Sequence, residues 1–453
     1  MAWNHSSNFE LRGASSGRVS RRTLLWAVPS VAFYVAGGSR ILGEFTDART
    51  PLYSSTLAIG DDQRRLLVPA DEDWTGDGSR VSRDAVQYLE LRRQETKWQE
   101  QGHVSGSPGQ LGHDAAQAAL LDLRALTVGS GGVVAAWSRH WRYVWPRDSA
   151  FVVAALAATG HTVDAAALLG FLQRVQAADG TFQARYDPIT ERAPDHRGVQ
   201  LDGLGWSLWG LSKWASALSA ETRDRQLRQF VPLLDRSASA CLRLTSGGTT
   251  LPPVSPDYWE IKTSEMTLGN AALFLVGFQA AARLYEMLGD HGRSAELAEA
   301  GRRYRAVITR HFAEHGYPRH PGGKSRDIAV AFLLPPFVDE IDRDVLTAWR
   351  LAGTELRRPA GGLAPGVRWR QDGVSWTPGT AVFALTEATV DDPDNSPRWL
   401  DWLLAHRTPA GSFPEKVLKN GRPAAVAPLA WTSAAVVLAL ETAARHPHPE
   451  HVA

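Results

Sequence analysis

The stretch Asp257-Tyr258-Trp259-Glu260 closes a proline-rich loop and stands directly before an apolar run of helical character. The loop, Leu251-Pro252-Pro253-Val254-Ser255-Pro256, cannot continue a helix, because proline lacks a backbone N–H and has a fixed φ. The glutamate is therefore expected to leave a turn beside an indole, at the mouth of a helix. Loss of hydration against an indole favours the protonated form of a carboxyl group, which makes Glu260 a candidate proton donor.

A second glutamate leaves a similar turn far downstream, in Gly411-Ser412-Phe413-Pro414-Glu415. Two carboxyl groups in unlike surroundings are the chemistry of glycoside hydrolysis, in which one protonates the leaving oxygen and the other activates water or attacks the sugar. Either glutamate alone is better explained as an ordinary loop residue, since ion pairs and helix starts also use carboxylates. The pair becomes informative only if the fold brings the two together.

Polar or aromatic clusters precede alternate apolar helices along most of the chain. They contain Asp148, Asp202, Glu260, Asp327, Trp376 and Trp431, at separations of 54, 58, 67, 49 and 55 residues. Each separation is about the length of one helical hairpin with its loops, and about twelve helices are expected between His113 and Arg445. A ring of hairpins would be an all-α (α/α)6 toroid or barrel, with the six clusters meeting in an aromatic-lined cup. By pattern alone, a helical solenoid is equally acceptable.

The composition sets limits on partners and on cross-links. With 453 residues, 44% of them hydrophobic, the chain can bury a substantial core. The formal net charge of +1, with both signs interspersed, argues against a nucleic-acid partner. Of the 17 tryptophans, about half are expected to fill the core and the rest to stack on flat ligand faces such as sugars. Cys241 is the only cysteine, so an intrachain disulfide and a cysteine-based metal site are excluded.

The N-terminal part divides into a targeting segment and an extension. Residues 1–39 combine paired arginines, a short apolar run and small residues, which predicts a twin-arginine-type signal and an extracellular or cell-envelope location. Without a clean Ala-x-Ala cleavage site, a retained membrane tether is one alternative, and an ordinary buried N-terminal helix is another. Residues 40–110 are predicted to form an extension and linker, and residues 111–453 the (α/α)6 domain.

Within the extension, residues 53–70 predict a β-hairpin and residues 84–101 a charged helix. A Gly/Ser-rich stretch, residues 102–112, is expected to be a flexible link. No metal or cofactor is expected: Asp391-Asp392-Pro393-Asp394-Asn395 is rich in oxygen ligands but lacks the glycine and distal glutamate of an EF-hand loop.

Several ordered segments between about Gly131 and Leu440 resemble glycoside hydrolase family 15, the glucoamylase-like enzymes. The segments are Trp141-Arg142-Tyr143-Val144-Trp145-Pro146-Arg147-Asp148, Gln200-Leu201-Asp202-Gly203-Leu204-Gly205-Trp206, Trp259-Glu260, Pro414-Glu415 and Pro428-Leu429-Ala430-Trp431-Thr432-Ser433. The first two are similar to the family's sugar-binding segments, the third to its general-acid motif and the fourth to its general-base motif.

This resemblance implies an (α/α)6 barrel that hydrolyses terminal α-glucosyl linkages with inversion and without a cofactor. Glu260 would donate a proton to the glycosidic oxygen, and Glu415 would activate water on the opposite face of the sugar. Carboxyl groups that leave room for this water are about 6.5–9.5 Å apart. The residues expected to bind sugar are Tyr143, Trp145, Arg147, Asp148, Gln200, Asp202, Trp259, Arg368, Trp376 and Trp431.

Some of these candidates have simpler explanations. The guanidinium of Arg147 suits vicinal hydroxyls and the carboxylate of Asp148 accepts from others, but the pair could instead cap the following helix. Asp202 and Asp327 carry the same ambiguity, since each directly precedes a helical run.

The sequence also departs from the family pattern in two places. Trp141 stands where the family usually has a tyrosine that holds the catalytic water, and an indole donates but cannot accept. Ile261 replaces a second acid that many members have after the general acid. The main expectation is an exported, inverting, exo-acting α-glycosidase acting on oligo- or polysaccharides. A noncatalytic carbohydrate-binding protein and a phosphate-dependent glycoside phosphorylase remain the alternatives.

Overall fold

The structure is a computed structural model that describes residues 50–71, 78–390 and 399–445. The predicted targeting segment, residues 1–39, lies outside the described residues, and so does the oxygen-rich turn that begins at Asp391. None of the helices in the described ranges combines the length and the apolar character needed to cross a bilayer.

Helices dominate the described residues, as the sequence predicts. They are α1 (Tyr88–Gln99), α2 (Leu111–Leu126), α3 (Pro146–Ala158), α4 (Thr162–Val175), α5 (Asp202–Ala217), α6 (Ala220–Leu227), α7 (Val231–Leu244), α8 (Leu268–Met287), α9 (His291–Phe312), α10 (Arg343–Glu355), α11 (Thr377–Val390), α12 (Trp399–Ala405) and α13 (Ala430–Arg445). Twelve of these α-helices lie in the described residues between 111 and 445, which agrees with the expected number.

Five α-helices and one 3₁₀ helix form a closed inner ring. Helix α3 contacts α5, α5 contacts α8, and α8 contacts the 3₁₀ helix Ile328–Leu333. That 3₁₀ helix contacts α11, α11 contacts α13, and α13 returns to α3. The contact between the last and the first member makes the fold a barrel rather than an open solenoid.

A second layer of helices covers the ring from outside. Helix α2 packs on α13, α4 on α3, α7 and α9 on α8, α10 on the 3₁₀ helix, and α12 on α11. Chain order therefore alternates between the outer and the inner layer, as expected for helical hairpins closed into an (α/α)6 barrel. The expected fold class is confirmed.

Burial separates the two layers in the way that their sequences predict. In α8, 16 of 20 residues are buried, whereas in the following helix α9 only 7 of 22 are. A helix that is apolar all round must be surrounded by protein, and an amphipathic one covers it. Gly205 allows α5 to pack closely on α8, because a Cβ at that position would lie 2.0 Å from the carbonyl oxygen of Leu273.

The fourth position of the inner ring differs from the expectation. Asp327 precedes a six-residue 3₁₀ helix, Ile328–Leu333, rather than a long apolar helix. All six residues are buried, so the segment still fills the ring. Pro335 and Pro336 follow almost at once, and proline at these positions removes the backbone donors that a longer helix would need.

The predicted hairpin in the extension is confirmed. Strands β1 (Thr56–Ile59) and β2 (Arg65–Val68) pair antiparallel, with Thr56 opposite Val68 and Ile59 opposite Arg65. The charged helix is also present, as α1. The boundary at residue 110 stays a prediction, but β1 packs on α2, so the described extension lies against the barrel.

The Gly/Ser-rich stretch is not free, contrary to the expected flexible link. The backbone N–H and the hydroxyl of Ser105 both donate to the carboxylate of Glu441 in α13, at 2.8 and 2.7 Å. A Cβ on Gly102 would lie 2.5 Å from the carbonyl oxygen of Thr159. Glycine here serves close packing, which sequence composition alone cannot distinguish from mobility.

A small sheet adjoins the end of the barrel where the inner helices begin. It has the order β3 (Ser375–Trp376), β4 (Lys416–Val417), β5 (Pro423–Ala424), and both pairs are antiparallel. On its far side, Leu52 forms a parallel bridge to Ala425. The sheet therefore joins the loop before α11, the loop before α13 and the N-terminal segment.

Candidate active site

The loops that lead into the inner helices bring the predicted clusters to one end of the ring. Arg147 lies in the first turn of α3, and Trp431 lies in the first turn of α13. The guanidinium carbon of Arg147 is 4.3 Å from the ring centroid of Trp431, and its Nη2 is 3.9 Å from Oε1 of Glu260. Three clusters that are far apart in sequence thus meet at one guanidinium group.

Arg147 is a buried cation held by carboxylates. Pro146 begins α3 and presets the helical φ, so the next two side chains emerge from its first turn. Arg147 Nη2 is 2.9 Å from Oδ2 of Asp148, and both side chains are buried. Burial alone would lower the pKa of Arg147, but the carboxylates of Asp148, Glu260 and Asp202 more than offset it and raise that pKa. The guanidinium therefore stays charged.

Asp148 and Asp202 have raised pKa values in this environment. Burial raises the pKa of Asp148, Arg147 opposes the rise, and Glu260 adds to it. Burial raises the pKa of Asp202 to about 7, against the opposing effect of Arg147. Oδ2 of Asp202 accepts a hydrogen bond from Nε2 of Gln200 at 3.1 Å. The residues before α3 and α5, Trp145 and Leu201, make no side-chain capping bond, and neither aspartate occupies a cap position.

Glu260 is presented by a strained turn. Its φ is 56°, in the left-handed region that residues other than glycine rarely adopt. The carbonyl oxygen of Asp257 accepts from the backbone N–H of Glu260 at 2.7 Å, and Oδ1 of Asp257 accepts from that of Trp259 at 3.0 Å. Such strain persists where surrounding contacts hold the backbone, and it is common at functional sites.

The carboxylate of Glu260 is surrounded by cations as well as by aromatic residues. Oε2 forms an ion pair with Nη1 of Arg197, in addition to the approach of Arg147. The Glu260 side chain is 13% exposed and that of Arg197 is 37% exposed, so Arg197 covers the carboxylate from the solvent side. Arg197 is itself held by Asp195, whose Oδ2 is 3.1 Å from its Nε. Arg147 was a predicted site residue, whereas Arg197 was not.

Tryptophan rings form one wall beside this turn. The Trp259 ring packs edge-on against Trp369, and Trp369 packs in the same way against Trp376, at centroid distances of 4.6 and 5.5 Å. Trp259 also contacts Arg319, whose guanidinium carbon is 3.7 Å from the ring centroid.

Arg319 ties the acid loop to the fourth position of the ring. It bonds Asp257 at 2.9 Å and Asp327 at 2.7 Å. Asp327 also caps the 3₁₀ helix by accepting from the backbone N–H of Ala329 at 3.0 Å. Asp327 thus supports the site from behind, in the capping role that the sequence left open.

Glu415 has a different environment from Glu260. Its Oε1 accepts from the indole N–H of Trp141 at 3.2 Å, and its Oε2 is 3.5 Å from Nζ of Lys416. Its backbone N–H donates to Val426 at 2.8 Å, and its carbonyl oxygen accepts from the backbone N–H of Thr377 at 3.1 Å. The small sheet therefore fixes the backbone of Glu415 while two side chains contact its carboxylate.

The N-terminal segment also reaches this carboxylate. The backbone N–H of Tyr53 donates to Ala425 at 2.8 Å, which places Tyr53 next to the strand pair that carries Glu415. Burial, with a further contribution from the negative charge of Glu415, raises the pKa of Tyr53.

Tyr143 and Trp145 form a second aromatic group. Their rings meet edge-on at 6.3 Å, and the guanidinium carbon of Arg185 is 4.2 Å from the Tyr143 centroid and 5.2 Å from that of Trp145. Arg185 is held in turn by Asp195, at 2.5 Å. Because Asp195 also binds Arg197, this aromatic group is connected to the partner of Glu260.

Most predicted site residues are brought together, and one is not. The residues joined through the contacts above are Tyr143, Trp145, Arg147, Asp148, Gln200, Asp202, Trp259, Glu260, Trp376, Glu415 and Trp431. Arg368 is exposed, and in the described residues no ion pair joins it to a candidate carboxylate. The sequence analysis did not predict Arg197, Arg319 or Lys416 as site residues. Of these three, only Lys416 could have been suspected from its sequence position, because it directly follows Glu415.

Comparisons with known proteins identify a related family. Residues 111–212 match the family model described as Glycosyl hydrolases family 15, a range that contains α2 to α4 and most of α5, with Arg147, Asp148 and Asp202. An uncharacterized glycosyl hydrolase of Methanocaldococcus jannaschii is 24% identical over 346 residues. The alignment covers 70% of this chain and 54% of that protein, so the chain spans about half the length of this relative.

Solved structures support the same fold. A glycosidase in complex with glucose superposes with a TM-score of 0.62 at 18% identity, covering 75% of this chain and all of the other. A bacterial glucoamylase complexed with acarbose gives a TM-score of 0.62 at 16% identity, covering 78% of this chain and 58% of the other. The resemblance to glycoside hydrolase family 15 is therefore confirmed, together with the barrel that it implied.

Proposed function

We propose that this protein is an inverting, exo-acting glycoside hydrolase that cleaves terminal α-glucosyl or related α-glycosyl linkages. The observation that carries the proposal is the pair of unlike carboxylates, Glu260 and Glu415, at the same end of one barrel. Glu260 lies beside Arg147, which contacts Trp431, and Glu415 lies beside Lys416, which contacts Trp376. Glu260 is the general acid and Glu415 the general base in this proposal.

The group around Arg147 is suited to a terminal sugar. Arg147 and Asp148 offer a fixed array of donors and acceptors, and Trp431 and Trp145 offer apolar faces on which pyranose rings stack. Several buried polar atoms here have no hydrogen-bond partner in the described residues: Oε1 of Gln200 and Nε1 of Trp145, Trp376 and Trp431. Sugar hydroxyls both donate and accept, so a bound sugar can satisfy atoms of both kinds.

The environments of the two glutamates suit their separate tasks. Glu415 lies beside the Lys416 ammonium and the Trp141 N–H, both of which stabilise a carboxylate ready to accept a proton from water. Glu260 forms an ion pair with Arg197, which lies on its solvent side and is more exposed than the carboxylate. A substrate whose leaving oxygen approaches Glu260 displaces Arg197 toward solvent, and this removes a cation that opposes protonation of the acid.

Substrate class and location extend the proposal. One solved relative is a complex with glucose and another a complex with acarbose, which favours a glucose-containing oligo- or polysaccharide as the substrate of this protein. The paired arginines and apolar run within residues 1–39 favour export to the cell envelope or beyond, with a membrane tether if the segment is retained.

One observation favours a second candidate, a noncatalytic carbohydrate-binding protein. Arg197 forms an ion pair with one oxygen of Glu260. Trp141 donates its N–H to Glu415, and its indole has no acceptor that could hold a water molecule. A site that keeps both contacts when sugar is bound would hold the sugar without hydrolysing it.

The test is to incubate the purified protein with α-linked glucosyl disaccharides and longer oligosaccharides and to follow the products by proton NMR. We expect release of one sugar at a time from the nonreducing end, first as the β anomer. First appearance of the α anomer would exclude inversion. Calorimetric binding of every saccharide with hydrolysis of none would support the binding protein instead.

A further inference from the structure

The side chain of Lys416 is a buried cation directly beside Glu415. It is 1% exposed, and its Nζ is 3.5 Å from Oε2 of Glu415. A buried ammonium is costly unless a negative charge compensates it, so its position next to one particular carboxylate is informative.

The small sheet fixes the position of this cation. Lys416 belongs to β4 and pairs with Trp376 of β3 on one side and with Ala424 of β5 on the other. Its Nζ lies 4.5 Å from the centroid of the Trp376 ring, within the range of a cation–π interaction. The ammonium is therefore held between the face of an indole and the carboxylate.

The two oxygens of Glu415 have different partners. Oε1 accepts a hydrogen bond from Trp141, whereas Oε2 is buried and accepts no hydrogen bond from the described residues. At 3.5 Å, Lys416 supplies charge to Oε2 but leaves its hydrogen-bonding capacity unused. A carboxylate that stays charged and keeps a fixed orientation is what a base needs in order to take a proton from water.

We propose that Lys416 is the positioning residue of the general base: by pairing with the buried oxygen Oε2, it holds the carboxylate of Glu415 charged and in a fixed orientation. The inference rests on the proposed function, because Lys416 can position the base only if Glu415 is that base. The reaction needs no further reactant. The water oxygen bonds to the anomeric carbon as the glycosidic C–O bond breaks, the proton of the water passes to Glu415, and the leaving oxygen takes a proton from Glu260.

Other charged groups surround the pair. Asp372 and Glu415 favour the charged form of Lys416, and Arg370 opposes it. Burial lowers the pKa of Lys416, and the carboxylate of Glu415 partly offsets this effect. Tyr53 also interacts with Glu415, through a hydroxyl that stays neutral because its pKa is raised. Of the charged groups named in this paragraph, Lys416 is the cation that forms an ion pair with the carboxylate of Glu415.

A purely structural role for Lys416 is the competing explanation. Its aliphatic stem and its contact with Trp376 could simply fill the space under the sheet. Such a role predicts that a neutral side chain of similar length changes the stability of the protein but not the titration midpoint of Glu415.

The experiment compares K416M with wild type and with K419M, which removes an exposed lysine three residues further along. Glutamate labelled with ¹³C at the carboxyl carbon reports the titration of Glu415, assigned by the signal missing in E415Q. We expect the midpoint to move to higher pH in K416M and to stay in place in K419M. The acid limb of kcat/KM should move with it.

The outcomes separate the two proposals. An unchanged midpoint in K416M overturns the role of Lys416, even if the wild type hydrolyses glycosides. A moved midpoint in a protein that hydrolyses no α-glycoside upholds the ion pair and refutes the proposed function. If K416M does not fold, the reciprocal test uses ¹⁵N-labelled Lys416: E415Q should lower its titration midpoint, and no change would refute the coupling.

Discussion

The indole N–H of Trp141 donates a hydrogen bond to Oε1 of Glu415 at 3.2 Å, across 274 positions of sequence. Replacing Trp141 with Phe removes the donor and keeps an aromatic ring. A hydrogen bond to a charged group contributes about 1.5–3 kcal/mol, so kcat should fall about 10- to 100-fold if the bond serves the base in the transition state. Steady-state kinetics of W141F, with W137F as a control on the same loop, measures this. Unchanged kcat in W141F would show that the bond is not used in the reaction.

Removing either carboxylic acid should abolish most of the activity while leaving the barrel folded. E260Q loses the proton donor and E415Q loses the base, and each should lower kcat by about 10²–10⁴-fold. Circular dichroism and thermal unfolding serve as checks on the fold. E265Q, at a side chain that is 67% exposed and lies outside the site, is the matched control. Near-normal turnover by either site variant would refute the role given to that residue.

Arg147 should not be replaceable by lysine. Its planar guanidinium serves Asp148 and Glu260 and lies over Trp431, whereas an ammonium is a single point charge. We expect kcat/KM of R147K to fall at least about 100-fold, with a higher KM, because the donors that orient the sugar are lost. R142K, at an exposed arginine of the same segment, should behave like wild type. Equal kinetics for R147K and wild type would contradict sugar binding by the guanidinium.

Asp202 should make stability depend on pH. Its pKa is raised to about 7 from an ordinary value of 3.8, so the ionised form is the one that the fold disfavours. Below pH 4 the folded and unfolded chains are both protonated at this residue and there is no penalty. As pH rises, the unfolded chain ionises first, so stability is lost progressively up to about pH 7 and then no further.

The variant D202N cannot ionise and should avoid this loss. Its free energy of unfolding should exceed that of wild type by up to about 4 kcal/mol at pH 8, and the difference should vanish toward pH 4. Denaturant unfolding at several pH values measures the difference, with D84N, at an exposed aspartate, as control. A difference independent of pH would show that Asp202 titrates normally.

The periodic part of the fold could be predicted because its causes are local. The six clusters recur at intervals set by the length of a helical hairpin, and their helices are apolar all round where the ring buries them. The pattern did not predict the 3₁₀ helix at the fourth position, because Ile328–Leu333 is as apolar as the buried α-helices of the ring. Only Pro335 and Pro336 indicate that the helix ends early. The prediction of a flexible link at Gly102 was also wrong, because the glycine there allows close packing.

The site could be predicted only in part, for a related reason. Glu260 and Glu415 stand next to turn-forming and aromatic residues, and this local context made them candidates. Arg197 reaches Glu260 from 63 positions away, and nothing in its own neighbourhood marks it. Contacts of this kind depend on how loops fold over the ring, and one sequence without its structure contains no local record of them.

The backbone hydrogen bonds between the N-terminal segment and Ala425 have a bearing on where the chain tolerates a cut. The backbone N–H of Tyr53 donates to the carbonyl oxygen of Ala425 at 2.8 Å, and the N–H of Ala425 donates to that of Pro51 at 3.0 Å. The hydroxyl of Ser54 donates to the carbonyl oxygen of Ala427 at 2.7 Å. A cleavage beyond Tyr53 would remove these contacts from the strand pair that directly follows Glu415. The segment around Tyr53 is thus part of the support beneath this carboxylate, and a chain shortened past it should lose order at Glu415.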